Sequence, residues 1–202
     1  MTESWIVLAL LAVVAGSLCF EYWMHLRNLR SIPTRIHVNG TRGKSSVTRL
    51  VAAALREHGI RTIAKTTGTL PRVIMPDGTE YPVYRPTRAN ILEQVRIVDF
   101  AAGHGAQVLV IECMALQPWF QSLCELKLVR STHGVITNAR PDHLDVMGPS
   151  EQHVALALLG TTPVGAKLYT CEQDYVAEFE AACQDRGSEL VIVGKDQTAK
   201  VT

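Results

Sequence analysis

The chain contains no C-x-x-C pair. Its five cysteines, at positions 19, 113, 124, 171 and 183, are widely spaced, which excludes a zinc ribbon and a disulfide-stapled secreted domain. They read as reduced thiols in a reducing compartment. An excess of one charge is missing as well: 20 Lys and Arg against 19 Asp and Glu leave a formal net charge of +1, so no general field exists for holding nucleic acid. No nucleic-acid partner is expected. Charged residues are only 19% and hydrophobic residues 47%, a balance that excludes a disordered chain. Internal repeats and low-complexity tracts are absent too. What is present is 202 residues, enough for one domain of about 150 residues and an addition.

The addition lies at the amino end. Ser4 to Phe20 is an uncharged run of 17 residues, roughly 25 Å long as a helix, at the short end of a membrane span. Trp5 at one end and Tyr22 and Trp23 at the other fit rings at headgroup depth. A cleaved signal peptide needs a basic segment and a small-residue cleavage site, whereas this terminus carries Glu3 and no Lys or Arg before the run. A lipoprotein signal fails because Cys19 follows Gly-Ser-Leu. A buried core helix is the third reading. The expectation is a retained single-pass anchor in the cell membrane, with residues 1–30 as anchor and linker and 31–202 as the soluble part. Arg27, Arg30 and Arg35 all follow the run, which keeps that part cytoplasmic.

Beyond the anchor, short apolar strands alternate with helical stretches. Strands are predicted at 35–38, 106–112, 134–138, 167–170 and 189–194, and helices at 45–58, about 90–102, near 151–159 and 173–186. The order predicts an α/β fold, a mostly parallel sheet with helices on both faces and ligands at the carboxyl ends of the strands. Residues 66–88 hold Pro71, Pro76, Pro82 and Pro86 and read as irregular loop, with a short hairpin around Asp77-Gly78.

The sharpest motif follows the first strand: Asn39-Gly40-Thr41-Arg42-Gly43-Lys44-Ser45-Ser46. A strand, a glycine-bearing turn and a helix opening at Gly-Lys-Ser form a phosphate-binding loop. Backbone N–H groups face the anion, Lys44 reaches the β and γ phosphates, and the Ser45 hydroxyl joins a Mg²⁺ shell. The usual first glycine is replaced by Val38, so a chance glycine turn is the alternative. The flanking strand and helix favour the loop. Four apolar residues running into Glu112 put a carboxylate at the sheet edge beside the loop; a charge that merely ends a strand is the plain alternative. The strand at 134–138 ends in Asn138, followed by Asp142, His143 and Asp145. Taken singly, His143 reads as a loop histidine and Asp142 as a helix cap; together they form a polar cluster at the same edge.

These residues carry a resemblance. The loop at 39–46, the strand end Ile111-Glu112-Cys113-Met114-Ala115 and the run from Ile136 to Asp145 resemble the Mur ligase superfamily, ATP-dependent amide ligases that tolerate a non-glycine at the first loop position. Within it, the amino-terminal anchor and the Arg-Pro-Asp-His-Leu-Asp-Val-Met-Gly string resemble poly-γ-glutamate synthase subunits of the CapB/PgsB type. The resemblance implies ATP and Mg²⁺ as cofactors, with Lys44, Glu112 and His143 as catalytic residues and Mg²⁺ held by Ser45, Glu112 and His143. It further implies Asn138 and Asp142 at the acyl-phosphate site, and glutamate, poly-γ-glutamate and other membrane subunits as partners. Arg85 and Arg88 are candidates for holding anionic polymer, against the plainer reading of solvated loop charges. Two departures stand beside it. No lysine lies between His143 and Ala166, where many members carry a carbamoylated one, and the superfamily's carboxyl-terminal domain has no counterpart before Thr202. A phosphate-loop NTPase of another kind and a truncated, non-catalytic nucleotide-binding subunit are the alternatives.

Overall fold

The computed structural model describes residues 2–68, 70–85 and 89–194. The apolar run forms the first part of helix α1 (Thr2–Ser31). Every residue from Ser4 to Trp23 is exposed, so this is not a core helix of the domain that follows. It is long and apolar enough to cross a membrane. The last turns differ. Leu29 and the following Ile32 are buried with Ile63, Ile97, Val98, Leu109 and Ile111, and Asn28 Nδ2 donates to Asp99 Oδ1 at 2.9 Å. Residues 21–30, expected as the end of an anchor and its linker, continue the same helix onto the domain.

Eight strands form one sheet in the order β4-β3-β2-β5-β1-β6-β7-β8. They are β1 (Thr34–Asn39), β2 (Thr62–Lys65), β3 (Arg72–Ile74), β4 (Glu80–Pro82), β5 (Val108–Glu112), β6 (His133–Ile136), β7 (Lys167–Thr170) and β8 (Glu189–Ile192). All pairings are parallel except β2 with β3 and β3 with β4. Side chains alternate across a strand, and the core follows that period. Val108 and Val110 pack with Val38 and with Ala52 of α2 (Lys44–Glu57), whereas Leu109 and Ile111 pack with Leu29 of α1 and Ile97 of α3 (Glu93–Gly103). Helices therefore cover both faces, as the continuous apolar run of β5 requires. Beyond β6, the helices Glu151–Leu158 and Val176–Asp185 close a third cluster around Ile136, Leu168 and Phe179.

Besides β2, for which no strand was expected, two segments differ from expectation. The stretch expected as irregular loop contributes β3 and β4, whose hairpin does turn at Asp77-Gly78, where Asp77 Oδ1 accepts from Thr79 N and Oγ1. Buried Val73 and Ile74 give β3 an apolar anchor against β2, and Pro82 sits on the outermost strand, where its missing N–H costs least. The other segment is α4 (Pro118–Leu123), which runs into a π-helical turn (Cys124–Val129). Its buried positions include Gln121 and Glu125, so it shows no clean apolar stripe.

Glu125 explains the π-turn's place in the fold. Its Oε2 lies 2.7 Å from His37 Nδ1, and its Oε1 accepts from Ser131 N at 2.7 Å and Ser131 Oγ at 2.9 Å. Burial alone would discharge His37, but contacts with Cys113 and Glu125 raise its pKa to about 9. The native ring should thus stay protonated at about pH 8, where an ordinary histidine is neutral. NMR titration of the ring carbons should show this, with Glu125→Gln bringing the midpoint down. A midpoint near 6.5, the unperturbed value, in the unaltered chain would refute the pairing.

Candidate functional site

The sheet order places β1 between β5 and β6, so the loop leaving β1 emerges where neighbouring strands both end. Val38 is level with Glu112 of β5, and Asn39 with Ile136 of β6. Open α/β sheets take ligands at such a carboxyl-edge crevice.

Two glycines shape the loop. Gly40 has φ +129°, and a Cβ there would meet Thr137 Oγ1 at 2.1 Å, so only glycine lets the loop pass under the end of β6. Gly43 has φ +80° and caps α2. The first helical bond is Val47 N to Gly43 O, so the amides of Lys44, Ser45 and Ser46 precede the helical ladder, as in an anion-binding helix start. Lys44 Nζ donates to the carbonyls of Gly40 and Thr41. The ammonium is folded across its own loop.

The segment after β6 grips this loop from the other side. Asn138 Oδ1 accepts from Thr41 Oγ1 at 2.7 Å and from Arg42 N at 3.1 Å, and Asn138 Nδ2 donates to Arg42 O at 3.0 Å. Thr137 Oγ1 donates to the same carbonyl at 2.7 Å. Glu172 Oε2 accepts from Ala139 N at 2.9 Å. Amides of Ala139, Asp174 and Gln173 hold that carboxyl below its ordinary range although burial opposes them.

Glu112 is buried, and its Oε2 accepts from Ser45 Oγ and from Thr67 N, each at 2.8 Å. Ser45 and Glu112 therefore form one oxygen pair at the loop. Asp142 forms a second group, 3.5 Å from Arg42 Nη2 and 3.9 Å from His143 Nε2. His143 has φ +45° and a half-exposed side chain. Asn39 is different, since its side chain turns inward and Nδ2 donates to Gln121 Oε1 at 2.7 Å and Thr161 Oγ1 at 3.0 Å. Its side chain is committed to holding the end of β1. Ser46 is exposed in the first turn of α2. Arg88 lies outside the described residues, and Arg85 is paired with Glu93 through Nε at 2.6 Å and Nη2 at 2.9 Å.

Sequence reasoning missed Thr67, whose amide reaches Glu112, and Lys65. Lys65 is fully buried at the end of β2, with Nζ 2.7 Å from Glu93 Oε1. Burial lowers its pKa, and Glu93 opposes that only in part. The one signal for it was a lysine ending a short apolar stretch. Among the described residues no group of three or more His, Cys, Asp and Glu is arranged to hold a metal. Mg²⁺ does not need such a cage, because it is commonly held by one or two protein oxygens together with substrate phosphates. The Ser45–Glu112 pair suits it.

Residues 38–202 match the Mur ligase middle domain. The chain is 38% identical over 183 residues to the capsule biosynthesis protein CapB of Bacillus anthracis, covering 90% of this chain and 39% of that protein. It is 36% identical over 190 residues to the PGA synthase CapB of Bacillus subtilis strain 168, covering 93% of this chain and 48% of that one. The chain thus spans less than half the length of either relative. A solved FPGS–AMPPCP complex superposes with a TM-score of 0.63 at 18% identity, covering 87% of this chain and 50% of the other. The fold is shared at that distance.

Asn138→Ala should free the loop at Thr41 and Arg42, at a cost of about 1 kcal/mol, the ordinary net worth of a hydrogen bond where water can reach the partners. Hydrogen exchange at the Arg42 amide should quicken, and denaturant midpoints should fall. Unchanged exchange there would show that the loop does not depend on this residue.

Proposed function

The chain belongs to the Mur ligase middle-domain family, and from that premise we propose that it is the nucleotide-binding part of an ATP-dependent amide ligase that adds glutamate to poly-γ-glutamate. The observation that carries this reading is Glu112, which engages Ser45 and the Thr67 amide beside the first amides of α2. Identity of 36–38% with two CapB proteins over about nine-tenths of the chain supports the substrate class.

The loop amides and Lys44 hold the phosphates of ATP. When nucleotide enters, Lys44 leaves the Gly40 and Thr41 carbonyls for phosphate oxygens, which carry full charge and accept more strongly. Mg²⁺, when bound, neutralises charge on the phosphates. Ser45 and Glu112 would hold it, with His143, next to Asp142, as a third candidate ligand. A carboxylate on the polymer attacks the γ-phosphorus, giving an acyl phosphate and ADP. The amine of the incoming glutamate then adds to the acyl carbon, losing a proton as phosphate departs. Asn138 and Asp142 shape that site through the loop. Catalysis comes from positioning and charge neutralisation. The α1 helix spans the cell membrane as a single pass, the domain is cytoplasmic, and other membrane subunits accompany it.

In membranes containing the chain and its partner subunits, Mg-ATP should give ADP in a glutamate-dependent manner, and Lys44→Ala should lower turnover by at least about a hundredfold. Hydrolysis equal with and without glutamate would sink the ligase reading. Nucleotide binding undiminished in Lys44→Ala would sink the phosphate loop.

A further inference from the structure

The opposite edge of the sheet carries a second concavity. A cavity of about 880 Å³ opens at the amino ends of β1, β6, β7 and β8, lined by Arg35, Arg130, His133, Lys167 and Glu189 among others. Helix α1 ends at this edge, since Ser31 passes through Ile32 and Pro33 directly into β1.

The charge of the cavity is positive. Glu125 reaches its wall, but both carboxylate oxygens are occupied by His37 and Ser131. Arg35 is also committed, donating to the carbonyls of Leu29, Ile32, Val129 and Arg130. Lys167 lies 3.2 Å from Glu189. Arg130 has no acidic partner among the described residues; its Nη2 donates to Tyr22 Oη at 3.3 Å. Arg130 also holds φ +46°, a conformation that non-glycine residues seldom keep without a reason. Arg35 fixes it there, with Nε and Nη2 donating to Arg130 O at 3.0 and 2.8 Å.

Tyr22 sits two residues past the apolar run, at headgroup depth if α1 spans the bilayer. Its partner Arg130 is then at that depth too, on the wall of a cavity facing the membrane. We infer that this cavity binds the phosphate of an anionic phospholipid headgroup, with the planar fork of Arg130 on the phosphate oxygens. A guanidinium matches paired phosphate oxygens in geometry as well as charge. The inference rests on the reading of α1 as a span.

The test uses the full chain in bilayer nanodiscs of equal parts phosphatidylcholine and phosphatidylglycerol. Native mass spectrometry of the released protein reads which lipid stays bound. Phosphatidylglycerol should be retained in preference by about tenfold, and Arg130→Gly should abolish the preference. Glycine is at home at this φ, so that variant removes the guanidinium without disturbing the backbone. Arg27→Gln, a cation of α1 that lies over the Trp23 ring, should leave most of the preference intact. A preference surviving Arg130→Gly, or lost equally in Arg27→Gln, overturns the inference in favour of general surface charge. Displacement by inorganic phosphate as effective as by glycerol phosphate overturns it in favour of a free-phosphate site. Carbonate washing of membranes is scored separately: extraction of the unaltered chain sinks the span, whereas retention together with a failed lipid preference sinks only the headgroup site.

Discussion

A row of polar contacts along one face of β1, buried at His37 and Asn39 and half-buried at Arg35, sets the geometry of both ends of the molecule. Arg35, His37 and Asn39 point to the same side of the strand, and each bonds a successive turn of the helix beneath. Asn39 reaches Gln121, His37 reaches Glu125, and Arg35 reaches the carbonyls of Val129 and Arg130. Two residues of strand advance about 6.6 Å and four residues of α-helix about 6 Å; the π-helical turn rises less, and the long Arg35 side chain spans the difference to the Val129 and Arg130 carbonyls. A slip of one residue would turn all three toward α2, where Ile36 and Val38 now pack. The buried groups of His37 and Asn39 would then lose their partners, at a cost of about 1–3 kcal/mol apiece. Register is therefore strongly specified on the strand that leads into the Gly40–Ser46 loop.

The sequence made the strand legible and hid what holds it. The alternation Arg-Ile-His-Val-Asn gives period two, and the loop motif is contiguous, so strand, turn and helix could be read in one pass. The strand at 108–112 was equally legible because both of its faces are covered and its residues are uniformly apolar. The partners of β1 were not readable. Gln121 and Glu125 are polar residues in the interior, where a helix ordinarily presents leucine or valine, so the stretch from Pro118 to Val129 gives no amphipathic signal. The β2 strand failed for a related reason, as four residues ending in a buried lysine resemble a loop more than a strand. Thr67 was invisible in another way, because its contribution is a backbone amide, and any residue but proline could supply it.

The same distinction runs through the candidate site. Ser45 and Glu112 were chosen by type and position, and they do meet at 2.8 Å. Asn39 was chosen by its place in the motif, yet strand alternation turns its side chain into the interior. Any contact it makes with a nucleotide runs through its backbone. Asn138 has the opposite history: chosen for its place at a sheet edge, it holds the Thr41–Arg42 stretch by three side-chain bonds. Its influence on bound phosphate would pass through the loop it shapes.

The direction of a parallel sheet separates the two surfaces on which function depends. Strands of four to six residues place the carboxyl edge about 13–20 Å from the amino edge. With α1 joined to the amino edge, the Gly40–Ser46 loop lies at the opposite edge, away from the proposed membrane. The joint between them is stiff. Residues 21–31 remain helical while Leu29, Ile32, His25 and Asn28 dock on the domain, so tilting α1 would require breaking a buried apolar contact. On the proposed reading, this joint would hold the site at a fixed height above the bilayer. A flexible linker would spread that height over many ångströms and lose the fixed orientation that the proposed chemistry would use.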